Sequence, residues 1–157
     1  MTRKLLISIL GAVALVFSAA VPAQGLSGAY VGLDVGNADF GPVDDTAFKL
    51  FAGAKFHPNI GAEFAYSQLL DKSGLEVTGL EVNAVGFFPL APQLNVIGKL
   101  GFARIDVSPG EDENEFTFGI GIQYDVTRQV GARLQWQRYT LDPEDIDLIT
   151  IGIVFTF

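Results

Sequence analysis

The chain of 157 residues has no cysteine and only one histidine, one methionine and one tryptophan. Without thiols there can be no disulfide framework and no thiolate metal site. Positive charge is scarce: ten Lys and Arg stand against eighteen Asp and Glu, a net charge of −8. Such a balance repels phosphate backbones and excludes nucleic acid as a partner. The lone histidine, His57, sits between Phe56 and Pro58 with no serine or acid at triad-like reach. No enzyme is expected from that arrangement, and no cofactor. Beyond the first residues there is also no apolar stripe at helical spacing over ten residues or more, so helices are not expected to build the fold.

What is present begins with MTRK, followed by LLISILGAVALVFSAAV and the small residues of Val21-Pro22-Ala23. A basic start, an apolar run and a small-residue cleavage position make residues 1–23 a secretory signal peptide. Gln24 is the expected first residue of the mature chain, with Val21 as the alternative start; a retained membrane anchor fits less well, because the run is short for a span. Residues 24–157 are expected to form one β-barrel domain. Absence of thiols suits an exported chain, since the compartment outside the cytoplasm is oxidising.

From there alternation at period two recurs between clusters of Gly, Pro, Asn and Asp, and predicts eight strands at 29–37, 47–56, 60–69, 77–88, 94–105, 115–126, 130–139 and 148–157. Each is about ten residues long, the length a tilted strand needs to cross a bilayer. HPN, PLAPQ and TRQ are tight connections; GNADFGPVDDT, LLDKSGLE, DVSPGEDENE and TLDPEDID are longer and acidic. Short turns therefore lie at one end of the predicted barrel and long polar loops at the other.

One alternating set is bulky and uncharged, typified by Phe64, Val82, Leu100, Ile120, Leu134 and the terminal Ile149, Ile151, Ile153, Phe155 and Phe157. The other is small and polar: Gly32, Asp34 and Gly36; Lys49, Phe51, Gly53 and Lys55; Glu63; Glu81; Lys99; Gly119 and Gly121; Arg133, Gln135 and Gln137. Eight strands enclose room for a limited filling of side chains, so the bulky set cannot turn inward as it would in a soluble lipocalin-like barrel. Turned outward it faces lipid, and closing the sheet satisfies every backbone donor and acceptor. The expected fold class is an all-β, eight-stranded antiparallel up-and-down transmembrane barrel. Aromatic residues sort with it: Phe56, Phe88, Tyr124 and Phe157 towards the short turns, and Phe48, Tyr66, Phe102, Phe118 and Trp136 towards the long loops, as two girdles. Arg104 and Arg138, on the outward register, are expected beside the loops, where they can reach water or anionic lipid.

The segments FAGAKFHPNIGAEFAYSQLL, GLEVNAVGFFPLAPQLNVIGKLG and GIQYDVTRQVGARLQWQ resemble the transmembrane domain of the OmpA family and related small OmpX-type barrels. That resemblance implies a Gram-negative outer membrane, with both termini in the periplasm and the long loops outside. It implies contact with outer-membrane lipid and lipopolysaccharide, and recognition of the last strand, ending on Phe157, by the outer-membrane assembly machinery. A monomer is expected. The periplasmic domain that lets longer relatives grip peptidoglycan is not expected here. Glu63 and Arg133 match an interior salt bridge of the family and Lys99 a further interior cation, whereas Val85 and Gln123 stand where a lysine and a glutamate would be. An interior network of Glu63, Lys99 and Arg133 is therefore expected, helped by Gln123, Gln135 and Asn95, and without the family's partner-exchange gate. Its role is expected to be a plug within a structural or surface-interaction protein, the alternative being a narrow, low-conductance porin. EDENE and DPEDID are expected to be solvated acidic surface rather than a cation site, as neither follows the EF-hand pattern.

Overall fold

The computed structural model describes residues 28–39, 41, 44–72, 75–108, 112–140 and 145–157; residues 1–23, expected to be a signal peptide, lie outside them. Eight strands follow one another in a closed antiparallel barrel: β1 (Ala29–Asp39), β2 (Asp44–His57), β3 (Ile60–Lys72), β4 (Leu75–Ala91), β5 (Leu94–Ser108), β6 (Asp112–Asp125), β7 (Val130–Thr140) and β8 (Ile146–Thr156). Each strand pairs with the next, and β8 returns to β1 from Tyr30↔Thr156 to Asp39↔Asp147. The closed sheet leaves no edge.

The expected alternation sets the faces. Phe64, Val82, Leu100, Ile120, Leu134 and Ile153 are exposed on the outer wall, while Asp34, Lys49, Glu63, Glu81, Lys99 and Arg133 are buried inside.

Two features differ from expectation. The strands are longer than ten residues, up to 17 in β4 and 15 in β5. Polar connections expected as loops are taken up as strand: β1 and β2 pair as far as Asp39↔Asp44, and β3 and β4 as far as Lys72↔Leu75. The apolar pattern stops where hydrocarbon would stop, but backbone pairing continues into water. At the other end β4 absorbs Pro89 and Leu90 of PLAPQ; the proline falls next to a register shift, where its missing N–H costs little.

The second difference is the filling. Above the polar middle, at the end of the long connections, lies an apolar layer of Ala38, Ala47, Leu69, Val77, Ile105, Tyr139, Ile146 and Leu148 among others. Towards the short turns lies another, of Tyr30, Phe51, Ala65, Val85, Phe87, Ile97 and Val154. The interior is thus not merely small and polar. Its glycines provide space for large neighbours: a Cβ on Gly32 would fall 2.1 Å from the Phe51 ring, and one on Gly53 would fall 2.5 Å from Tyr30.

Candidate functional site

The polar middle of the barrel holds two ionic clusters. In the first, Arg133 from β7 donates from Nη1 to Glu63 Oε2 on β3 at 2.8 Å, and from Nε and Nη2 to Gln123 Oε1 on β6 at 3.2 and 2.9 Å. Lys99 from β5 donates to Glu63 Oε1, and Tyr30 adds a hydroxyl to Glu63 Oε2 at 3.2 Å. The structure therefore brings Glu63, Lys99 and Arg133 together. One carboxylate lies between two cations, and the Phe51 ring packs under both, its centroid 5.3 Å from Lys99 Nζ and 4.6 Å from Arg133 Cζ.

Nearer the long connections lies a second cluster, for which the sequence supplied only the inward register of Lys49, Ser67, Glu81, Asn83 and Gln137. Lys49 on β2 donates to Glu81 Oε2 on β4 at 2.8 Å and to Gln137 on β7. Glu81 also accepts from Gln137 at 2.8 Å, Ser67 at 2.7 Å, Asn83 at 3.1 Å and the Tyr139 hydroxyl. Gln137 in turn donates to Thr117 at 2.7 Å. Lys49 and Glu81 are 32 residues apart, and no local spacing marks them as partners.

Two expected helpers work elsewhere. Gln135 donates to Asp34 rather than to the Glu63 cluster, because it stands opposite Thr150, and β8 brings both to β1; Thr150 also donates to Asp34, at 3.2 Å. Asn95 reaches Asp125 at 3.3 Å, near the short turns, where Gln123 also donates to Asp125 at 2.8 Å. Among the described residues, three buried oxygens, Asp34 Oδ1, Asn83 Oδ1 and Gln135 Oε1, have no hydrogen-bond donor. Val85 is buried in the apolar layer beside Tyr30 and Phe87.

His57 ends β2 in an exposed position, its Nδ1 accepting from the Asn59 amide at 3.3 Å. Outside the barrel, Arg138 forms a two-pronged pair with Asp147, both contacts at 2.7 Å, and lies 5.4 Å from the Trp136 ring centre. Arg104 lies 3.7 Å from Asp106. The outward arginines thus have carboxylate neighbours on their own wall, a contact the sequence reading assigned to water or lipid. Among the described residues no three His, Asp or Glu side chains converge as metal ligands; Glu111 and residues 142–144 of the acidic runs lie outside the described set. Phe157 donates its amide to Ala29 O at 2.9 Å, so the last residue is tied to the first strand at the short-turn end.

A closed eight-stranded barrel with an apolar outer wall and a charged, filled interior is the architecture of a small transmembrane barrel. Residues 9–157 match the family described as outer membrane protein beta-barrel domain, and the chain belongs to that family. A comparison with curated proteins finds no relative. Solved structures with the same fold include the N-terminal β-barrel domain of Pseudomonas aeruginosa OprF, 14% identical over 82% of this chain and 97% of that one, with a TM-score of 0.65. Neisserial surface protein A is 17% identical over 85% of this chain and all of its own, with a TM-score of 0.62. Ail, the attachment invasion locus protein of Yersinia pestis, solved with the heparin analogue sucrose octasulfate, is 16% identical over 83% of this chain and 97% of its own, with a TM-score of 0.57. The chain is an outer-membrane β-barrel protein, and its eight-stranded fold is shared by these small barrels.

Proposed function

We propose that this barrel is a non-enzymatic structural or surface-interaction protein of the outer membrane with a plugged interior. Its short turns and both termini face the periplasm, and its long acidic connections face outward. The observation that carries the reading is the stacking of layers: the Glu63 and Glu81 clusters fill the middle, and apolar side chains close it at both ends. Eight strands enclose little more than their own side chains, so such a filling leaves no continuous aqueous path. Gln123 is neutral and offers Arg133 no second carboxylate to which it could transfer, which fits a fixed plug better than a gate.

A narrow porin is the second reading, favoured by the three donorless oxygens inside the polar layer. Buried acceptors of that kind recruit water, and a file of water is what a low-conductance path requires. Currents across planar bilayers separate the two. The plug predicts no stable unitary conductance; a reproducible pore abolished by Arg133→Ala would overturn it.

Ail was solved with a polysulfated ligand. The loops of this chain carry acid instead, in EDENE and DPEDID, so a partner meeting them would present a basic surface.

A further inference from the structure

The outer wall is not uniformly bulky. In the row of outward positions that crosses β3 to β6, Ile60 pairs with Gly86, Gly86 with Gly98, and Gly98 with Ile120. Two glycines side by side leave a notch between isoleucines three strand spacings apart, about 14 Å. Ala84 extends its floor, and Phe88, Leu100 and Phe118 form the sides of an open depression of about 370 Å³. That volume lies within the range of small-molecule sites, which are also mainly apolar. Phe88 folds back over the notch, since a Cβ on Gly86 would fall 3.1 Å from its ring, whereas a Cβ on Gly98 would meet no atom within 4 Å.

We infer that this notch is a seat for one acyl chain of a membrane phospholipid, held more firmly than the surrounding lipid. The notch is continuous with the exposed apolar wall formed by Ile60, Phe88 and Leu100, the surface that faces hydrocarbon in an outer-membrane barrel. Water has no claim on it, because a water molecule needs two or more polar partners and the facing side chains are hydrocarbon. Left empty, its lining would lose dispersion contacts on one side. A flexible methylene chain can follow a notch rimmed by a folded phenyl ring. It gains contacts on several sides there, against one side on the rest of the wall. The inference rests on the wall facing lipid and not on whether the interior conducts.

Gly98→Leu is the discriminating variant, because a Cβ there meets no atom within 4 Å and the side chain grows from it into the notch where the occupant would lie. The experiment is native mass spectrometry of detergent-extracted protein titrated with 1-palmitoyl-2-oleoyl-phosphatidylethanolamine. Ala52→Leu, elsewhere on the same wall, serves as the bulk control, and flotation with vesicles verifies membrane insertion for all three proteins. The wild type and Ala52→Leu are expected to retain one lipid, and Gly98→Leu to bind it at least tenfold more weakly while still floating. Equal retention by Gly98→Leu, or no retained lipid in a floating wild type, overturns the seat. A wild-type dimer lost in Gly98→Leu, without retained lipid, also overturns it and assigns the notch to a second copy. Failure of all three to float would instead strike at the lipid-facing wall itself.

Discussion

Arg133 and Glu63 show how little freedom a single buried residue has in this barrel. Both side chains are fully buried and 2.8 Å apart, and Lys99 contacts the same carboxylate. A buried ion pair adds little over a well-packed apolar pair, but removing one partner leaves an uncompensated charge, at a cost of about 3–5 kcal/mol. Glu63→Gln strands two cations at once. It is expected to lower stability by at least about that amount, measured by urea unfolding in lipid vesicles, and adding Lys99→Met is expected to recover part of the loss. The inward glycines have a different role. In Gly32→Val the first added carbon would overlap the Phe51 ring at 2.1 Å. Overpacking of this kind is expected to destabilise by about 1–3 kcal/mol, and Phe51→Ala introduced with it should cost less than the two changes summed. The same unfolding assay, run as a double-mutant cycle, measures that coupling.

Single strands were legible in the sequence to different depths. In β8 the outward places of Ile149, Ile151, Ile153 and Phe155 and the inward places of Thr150, Gly152 and Thr156 follow from period two alone, which no amount of stagger between strands can alter. Ile153 is 63% exposed on the wall, whereas Thr150 is buried and its hydroxyl reaches Asp34. Ile153→Arg is therefore expected to destabilise the barrel by about 2–4 kcal/mol if near the bilayer midplane, and Thr156→Ser to change stability little. Comparing their unfolding midpoints in vesicles tests the face assignment directly. The upper ends of β3, β4 and β5 were not legible. The period-two pattern stops at Leu69, starts again at Val77 and ends at Ile105, whereas pairing runs on through Lys72↔Leu75 and Glu76↔Ser108, where polar residues such as Asp71, Lys72, Glu76 and Asp106 leave little apolar contrast. Partner choice was hidden for another reason. Which inward charge meets which depends on the stagger of neighbouring strands, and a sequence does not display it. Lys49 and Glu81 are visibly inward yet cannot be paired from sequence, and that Gln135, expected as an interior hydrogen-bond donor, meets Asp34 is hidden for the same reason. Glu63 and Arg133 were matched only through the resemblance to OmpA-like barrels.

At the scale of the molecule the consequence of closure is cooperativity. Every strand has two neighbours, so no part can detach without breaking pairing around the ring. A closed barrel in hydrocarbon has no intermediate with free edges to fall back on, because each unpaired backbone group there costs several kcal/mol. Folded protein should accordingly resist SDS until heated, and boiled and unboiled samples should migrate differently on gels. Identical migration would count against a closed transmembrane barrel. Phe157 lies at the last step of closure. Its amide bonds to Ala29 O at 2.9 Å, while its ring packs edge-on to Phe155 with centroids 5.3 Å apart. Removing it deletes one hydrogen bond at the rim, worth about 1 kcal/mol, and an exposed ring. On stability alone, the truncated chain should therefore still form the heat-modifiable species when refolded from urea into vesicles. If the terminal phenylalanine is also the signal read during assembly, as the resemblance implies, the same truncation should sharply reduce the heat-modifiable fraction in cell envelopes. Loss in cells with retention in vitro assigns Phe157 to recognition. Equal loss in both would assign it to barrel closure, and normal levels in both would remove it from either role.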